Sequence, residues 1–238
     1  LSQRKVLQLA AGGSASAALA AAYQTHSAAA IAGAAPGQVR AVADIGHTAR
    51  ITVENIGAYD VERLNAVLTT ELAEFSDFAI SYPPAKNGVT LHRVTYPSMI
   101  PEKNNRPTTA TGLIAILDNV TGVLPVLSYQ HGSVFGKTEV PSFPDASMET
   151  RLMIANFAGQ GYMVIGADYF GRGLSPELNS YIVKASTQQA CLDMLFATQA
   201  VSADLGVELG DLYISGWSQG GWSALAFLNK LESVGVPV

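Results

Sequence analysis

With 238 residues, 48% of them hydrophobic and only 14% charged, the chain has the composition of a well-buried globular protein, which excludes disorder. Its formal net charge of −5, with Lys and Arg scattered and no basic-aromatic interleaving, excludes a nucleic-acid surface. One cysteine, Cys191 in an apolar helical stretch, excludes an internal disulfide; no Cys/His/Asp cluster has metal-ligand spacing, so neither a metal nor another cofactor is expected.

Arg4-Lys5 precede a mild Ala-rich apolar run, residues 6–23, and Ser27-Ala28-Ala29-Ala30 offers a small-residue cleavage site. This is the pattern of a secretory signal peptide, with an ordinary Ala-rich helix as the equal alternative. The first reading places the protein outside the cytoplasm, secreted or periplasmic. Gln8, Gly12, Gly13, Ser14 and Ser16 make the run too polar for a membrane span. Ala34-Ala35-Pro36-Gly37 closes this segment (residues 1–37) as a linker. Residues 38–87 are expected to be a helical extension. There Val61, Leu64, Leu68, Leu72 and Phe75 recur on one helix face, with Asp60 as N-cap, which suits a helix docked on a core.

The main core is expected over residues 88–238. Val89, Leu91 and Val94, then residues 109–118, read as antiparallel strands joined by a turn at Asn104-Asn105-Arg106-Pro107. Residues 124–130 form an apolar strand ending in His131-Gly132-Ser133. A helix over residues 148–158 follows, capped by Asp145 or Ser147. The next strand, residues 161–168, ends in Tyr169-Phe170-Gly171-Arg172-Gly173. A helix over 181–201, a strand over 212–215 and a helix over 222–231 complete the chain. Strands alternating with helices predict parallel pairing with right-handed crossovers, and sites in such sheets lie at the carboxyl ends of strands. Gly132, Asp168 and Ser218 all fall at such ends.

Between the last strand and helix stands Gly216-Trp217-Ser218-Gln219-Gly220. Strand, Gly-x-Ser-x-Gly and helix in that order make a nucleophile elbow, whose strained turn needs small neighbours; Gly216 and Gly220 give the clearance and Gly221 adds more. With the His-Gly loop and the Asp-Tyr-x-Gly-x-Gly strand end upstream, residues 89–238 resemble the α/β-hydrolase superfamily, in its branch of secreted bacterial and fungal lipases and esterases. The resemblance implies an α/β fold with a mostly parallel sheet and flanking helices. It implies Ser218 as nucleophile, the N–H groups of Ser133 and Gln219 as oxyanion donors, and His131, Gly132, Tyr169 and Trp217 around the substrate, a small-molecule ester. Asp168 is expected to cap its turn rather than serve as triad acid.

One departure from the family stands out. Its triad runs Ser, then Asp or Glu, then His, yet the 20 residues after Ser218 hold no histidine and one acid, Glu232. At about 1.5 Å per helical residue, Glu232 would lie about 21 Å away. Gly235-Val236-Pro237-Val238 reads as the start of a further strand. The expectation is therefore the N-terminal part of the fold, through the nucleophile helix. The acid and histidine would lie on sequence absent here, as a companion C-terminal fragment, a second chain, or the remainder of a truncated one. Of His26, His47, His92 and His131, only His131 falls near Ser218, and shaping the oxyanion loop suits it better than acting as base. The activity implied is carboxylic ester hydrolysis through an acyl-enzyme. The alternatives are a serine peptidase of the prolyl oligopeptidase type and a hydrolase-fold binding protein without catalysis.

Overall fold

The computed structural model describes residues 36, 39–44, 50–76 and 80–238; the Ala-rich start, with its signal-like pattern, and His47 lie outside them. Within residues 38–87 the chain makes two strands before any helix, β1 (Val39–Asp44) and β2 (Arg50–Tyr59). β2 buries Ile51 and Val53 and leaves Thr52 and Glu54 partly exposed, the period-2 pattern of a strand covered on one face. The predicted helix follows as one run: α1 (Val61–Ala66), a π turn (Val67–Glu71) and α2 (Leu72–Phe75). Its N-cap is Asp60, whose carboxylate accepts the Arg63 N–H at 2.7 Å, and Leu64, Val67, Leu68 and Leu72 are buried.

β3 (Val89–Ile100) and β4 (Arg106–Leu117) form a long hairpin in continuous register from Val89↔Leu117 to Ile100↔Arg106. Asn104 and Asn105 turn it at φ 54° and 55°, a conformation asparagine tolerates. Then come β5 (Gly122–Gln130), α3 (Met148–Phe157), β6 (Met163–Ala167), α4 (Lys184–Val201), β7 (Val207–Gly216) and α5 (Gln219–Ser233). Ser147 caps α3 by accepting the Thr150 N–H. α4 starts at Lys184 rather than 181, because Ile182 sits at φ 58° and Val183 is extended. Residues 235–238 form no strand: Gly235 at φ 73° ends α5, and the Val236 N–H closes on the Leu231 carbonyl.

Among the described residues seven strands make one sheet in the order β1-β2-β3-β4-β6-β5-β7. The parallel pairing expected from the crossovers is confined to β6-β5-β7; the other four ladders are antiparallel, so the sheet is mixed. Each face has its own core. On one, Ile114, Ile165 and Val126 pack with Met194, Leu195 and Phe227; on the other, Leu113, Val164 and Leu127 pack with Leu64, Val67 and Ile154. Burial of each such side chain contributes about 1.5–3 kcal/mol. Arg151 of α3 pairs with Glu71 and so fastens the helical run onto α3; Arg63 pairs with Glu71 within the run, and the Tyr59 hydroxyl of β2 donates to Asp145 at 2.5 Å.

Candidate active site

At the carboxyl end of β7 the chain reverses into α5 within a few residues. Ser218 sits at φ 53°, ψ −114°, a conformation that costs about 1–3 kcal/mol and persists only where the surroundings enforce it. The surroundings here are backbone. A Cβ on Gly220 would stand 1.8 Å from the Gln130 carbonyl oxygen, and one on Gly216 would stand 2.1 Å from the Gly220 oxygen. Only glycine fits at either position. Gly221 carries no such demand, since a Cβ there meets nothing nearer than 3.8 Å; the clearance expected of it is not needed. Ser218 is exposed, and its hydroxyl makes no capping bond to the helix it precedes. The turn is fixed by Gly220 N–H to Trp217 O at 2.7 Å and Gly221 N–H to Ser218 O at 3.0 Å.

Next to this turn runs the loop leaving β5, since Gln130 pairs with Gly216 across the β5–β7 ladder and the Trp217 N–H reaches the Gln130 carbonyl at 3.3 Å. His131 is buried. Its Nε2 lies 3.1 Å from the Asp168 carbonyl oxygen and its Nδ1 2.8 Å from that of Gly132. Burial lowers its pKa to about 4, so the ring is neutral near pH 7 and donates only one of these two contacts. Tyr169, at φ 64°, stacks on it with centroids 4.2 Å apart and donates its hydroxyl to the His131 carbonyl at 3.3 Å. Asp168 is fully buried; it accepts the Ser142 N–H at 2.9 Å and the hydroxyls of Ser142 and Thr111 at 2.5 Å. Burial raises its pKa, and those three bonds pull the other way. The Asp168 carboxylate therefore ties the loop after β5 to β4 and does not cap the turn that follows it, which corrects the expected role; these bonds occupy it away from Ser218.

Past His131 the loop is held by charges the sequence did not bring forward. Both carboxylate oxygens of Glu149, in the first turn of α3, accept the Gly132 N–H, at 2.9 and 3.1 Å. Arg172 donates to the carbonyls of Val134, Phe135 and Gly136 at 2.5, 2.9 and 3.1 Å, while Glu139 accepts the N–H groups of Phe135 and Gly136. Among the described residues nothing pairs with the N–H of Ser133 or of Gln219. Trp217 does not pack beneath the elbow: 66% exposed, it lies against Gly132, with Cδ1 2.9 Å from where a Cβ would stand. Phe135 and Tyr181 are also exposed, the Tyr181 hydroxyl 3.5 Å from Ser133 Oγ.

Among solved structures, the chain is similar to a ligand-bound form of the rice cell wall degrading esterase LipA from Xanthomonas oryzae. Identity is 26% and the TM-score 0.64, over 76% of this chain and 45% of that one. A hydrolase from Legionella pneumophila gives 25% identity and a TM-score of 0.66, over 76% and 47%. The fold is that of the α/β-hydrolases. The chain spans less than half the length of either structure. No protein-family model and no curated protein matches it.

In this fold the described histidines are either engaged by backbone or distant from Ser218. His131 has both ring nitrogens against backbone carbonyls. His92 is buried in β3, held to about 4 by desolvation, four strands from β7 and so about 19 Å away at 4.8 Å per strand. Glu232 stands near the far end of α5, exposed. Among the described residues no group of three or more His, Cys, Asp or Glu could hold a metal ion, and no helix is long and apolar enough to cross a membrane.

Proposed function

We propose that this chain carries the nucleophile and oxyanion hole of a serine ester hydrolase. Ser218 Oγ attacks the ester carbonyl and passes its proton to a base. The N–H groups of Ser133 and Gln219 receive the oxyanion of the tetrahedral intermediate, which collapses with loss of the alcohol. Water then releases the acid from the acyl-enzyme. The observation that carries this reading is an exposed serine, in a strained turn that only glycines permit, with two nearby N–H groups that have no partner among the described residues. The esterase likeness of LipA supports an ester over an amide. Gly132, His131 and Tyr169 shape the loop, and Trp217 walls the substrate mouth with Phe135 and Tyr181, a surface suited to an apolar acyl or alkoxy group.

The base and its acid belong to residues other than the described ones, on the same polypeptide or a companion. The signal-like pattern of residues 4–30 goes with an exported enzyme. The test is reaction with a fluorophosphonate followed by peptide mapping, alongside hydrolysis of short p-nitrophenyl esters. A Ser218 adduct, with S218A inactive and unlabelled, supports the reading. An unlabelled Ser218 in the whole protein refutes it and favours the non-catalytic binding role, for which the position of His92 and His131 speaks.

A further inference from the structure

The N–H of Ser133 and the C=O of Gly132 belong to one peptide group, and in a trans peptide the two point in opposite directions. The Gly132 carbonyl faces inward, 2.8 Å from the buried His131 Nδ1, so the Ser133 N–H faces outward. That orientation is only as firm as Gly132 itself, a residue with few conformational limits of its own. On its other side its N–H meets both oxygens of Glu149. Glu149 stands in the first turn of a helix capped by Ser147, which makes it a rigid mount. Its Oε2 and the Trp217 side chain also fill the space a side chain at 132 would use, at 3.0 and 2.9 Å. Burial raises the Glu149 pKa, and the bond from the Gly132 N–H opposes that shift.

We infer that Glu149 is a positioning residue of the oxyanion hole. By occupying the Gly132 N–H it withdraws that donor from the site and fixes the Gly132–Ser133 peptide with the Ser133 N–H open to the Ser218 side. The inference rests on the esterase reading and adds to it a residue that touches neither substrate nor nucleophile.

The experiment compares wild type, E149Q and E149A in the whole protein, with three readouts. Loss of one oxyanion donor lowers kcat by about 10²–10³-fold, and loosening one lowers it by less. We expect kcat to fall about tenfold in E149Q, which keeps one acceptor oxygen, and about a hundredfold in E149A, with KM within about twofold. An alkyl boronic acid, which mimics the tetrahedral adduct on serine, should lose affinity by the same factors. The Gly132 amide should exchange with solvent at least about tenfold faster in E149A. A merely structural role would lower Tm and leave the kcat/KM split and boronate affinity untouched, which overturns the inference, as does wild-type exchange at Gly132 in E149A. If wild type hydrolyses no ester, the esterase reading fails by itself, while boronate affinity and amide exchange still judge Glu149.

Discussion

Gly220 and Gly221 are adjacent in sequence and opposite in consequence. In G220A the new Cβ would lie 1.8 Å from the Gln130 carbonyl oxygen. An ordinary carbon–oxygen contact is about 3.3 Å, so about 1.5 Å of movement is required. Both partners are backbone, one in β5 and one in the first turn of α5, so neither yields as a flexible side chain would. Overpacking of this kind costs about 3 kcal/mol or more. At about 2–4 °C per kcal/mol for a chain of this size, Tm should drop by about 6–12 °C. The elbow also moves, and displacing the proposed nucleophile by about 1 Å should slow phosphonate labelling of Ser218 about a hundredfold. In G221A the Cβ meets nothing nearer than 3.8 Å, and replacing a helical glycine by alanine should stabilise by about 0.5–1 kcal/mol. Thermal unfolding of the two variants and their labelling rates check both. A G220A protein melting within about 2 °C of wild type refutes the steric reasoning, as does a G221A protein that loses as much as G220A.

Asp193, buried in α4 and accepting from Ser98 and Gln189, is raised to about 7 by desolvation. A carboxyl held above its unfolded value binds its proton more tightly when folded, so its contribution is present below about pH 4 and lost as pH rises to about 7. Relative to D193N, wild type should therefore lose stability between those values, read as the difference in Tm from pH 4 to pH 8. S147A removes the α3 cap and should cost about 1 kcal/mol, measured by urea unfolding. In G173A a Cβ would fall 2.1 Å from Asp168 Oδ2 at a φ of 56°. It should destabilise by more than about 2 kcal/mol, and a wild-type urea midpoint would contradict the assigned geometry.

The elbow was legible because its residue types answer a steric demand visible in five letters: nothing but glycine survives at 216 and 220. The helix from Val61 was legible because its apolar face repeats cleanly and Asp60 caps it. β2 was hidden because its alternation breaks at a register shift between Asn55 and Gly57. The strand before the elbow begins at Val207, earlier than its apolar run at 212, because Glu208, Gly210 and Asp211 mask a strand open along one edge. Glu149 and Arg172 could not be found by spacing. Each acts across 17 or more residues on backbone atoms, and backbone acceptors and donors leave no trace in residue type.

The β5–β7 ladder has a consequence for how precisely two amides can be set. The Ser133 and Gln219 N–H groups hang from the ends of neighbouring strands, three residues beyond the pair Gln130↔Gly216. Their separation is thereby referred to one fixed ruler, the interstrand spacing of about 4.8 Å, instead of being accumulated through a chain of loops. A disturbance that bends or tilts the sheet carries both ends together and leaves the gap between them nearly constant. A slip along this single ladder separates them by whole residues. Natural variation in the distant strands β1 and β2 should be tolerated more freely than at the few residues flanking Gln130 and Gly216, which should admit almost none.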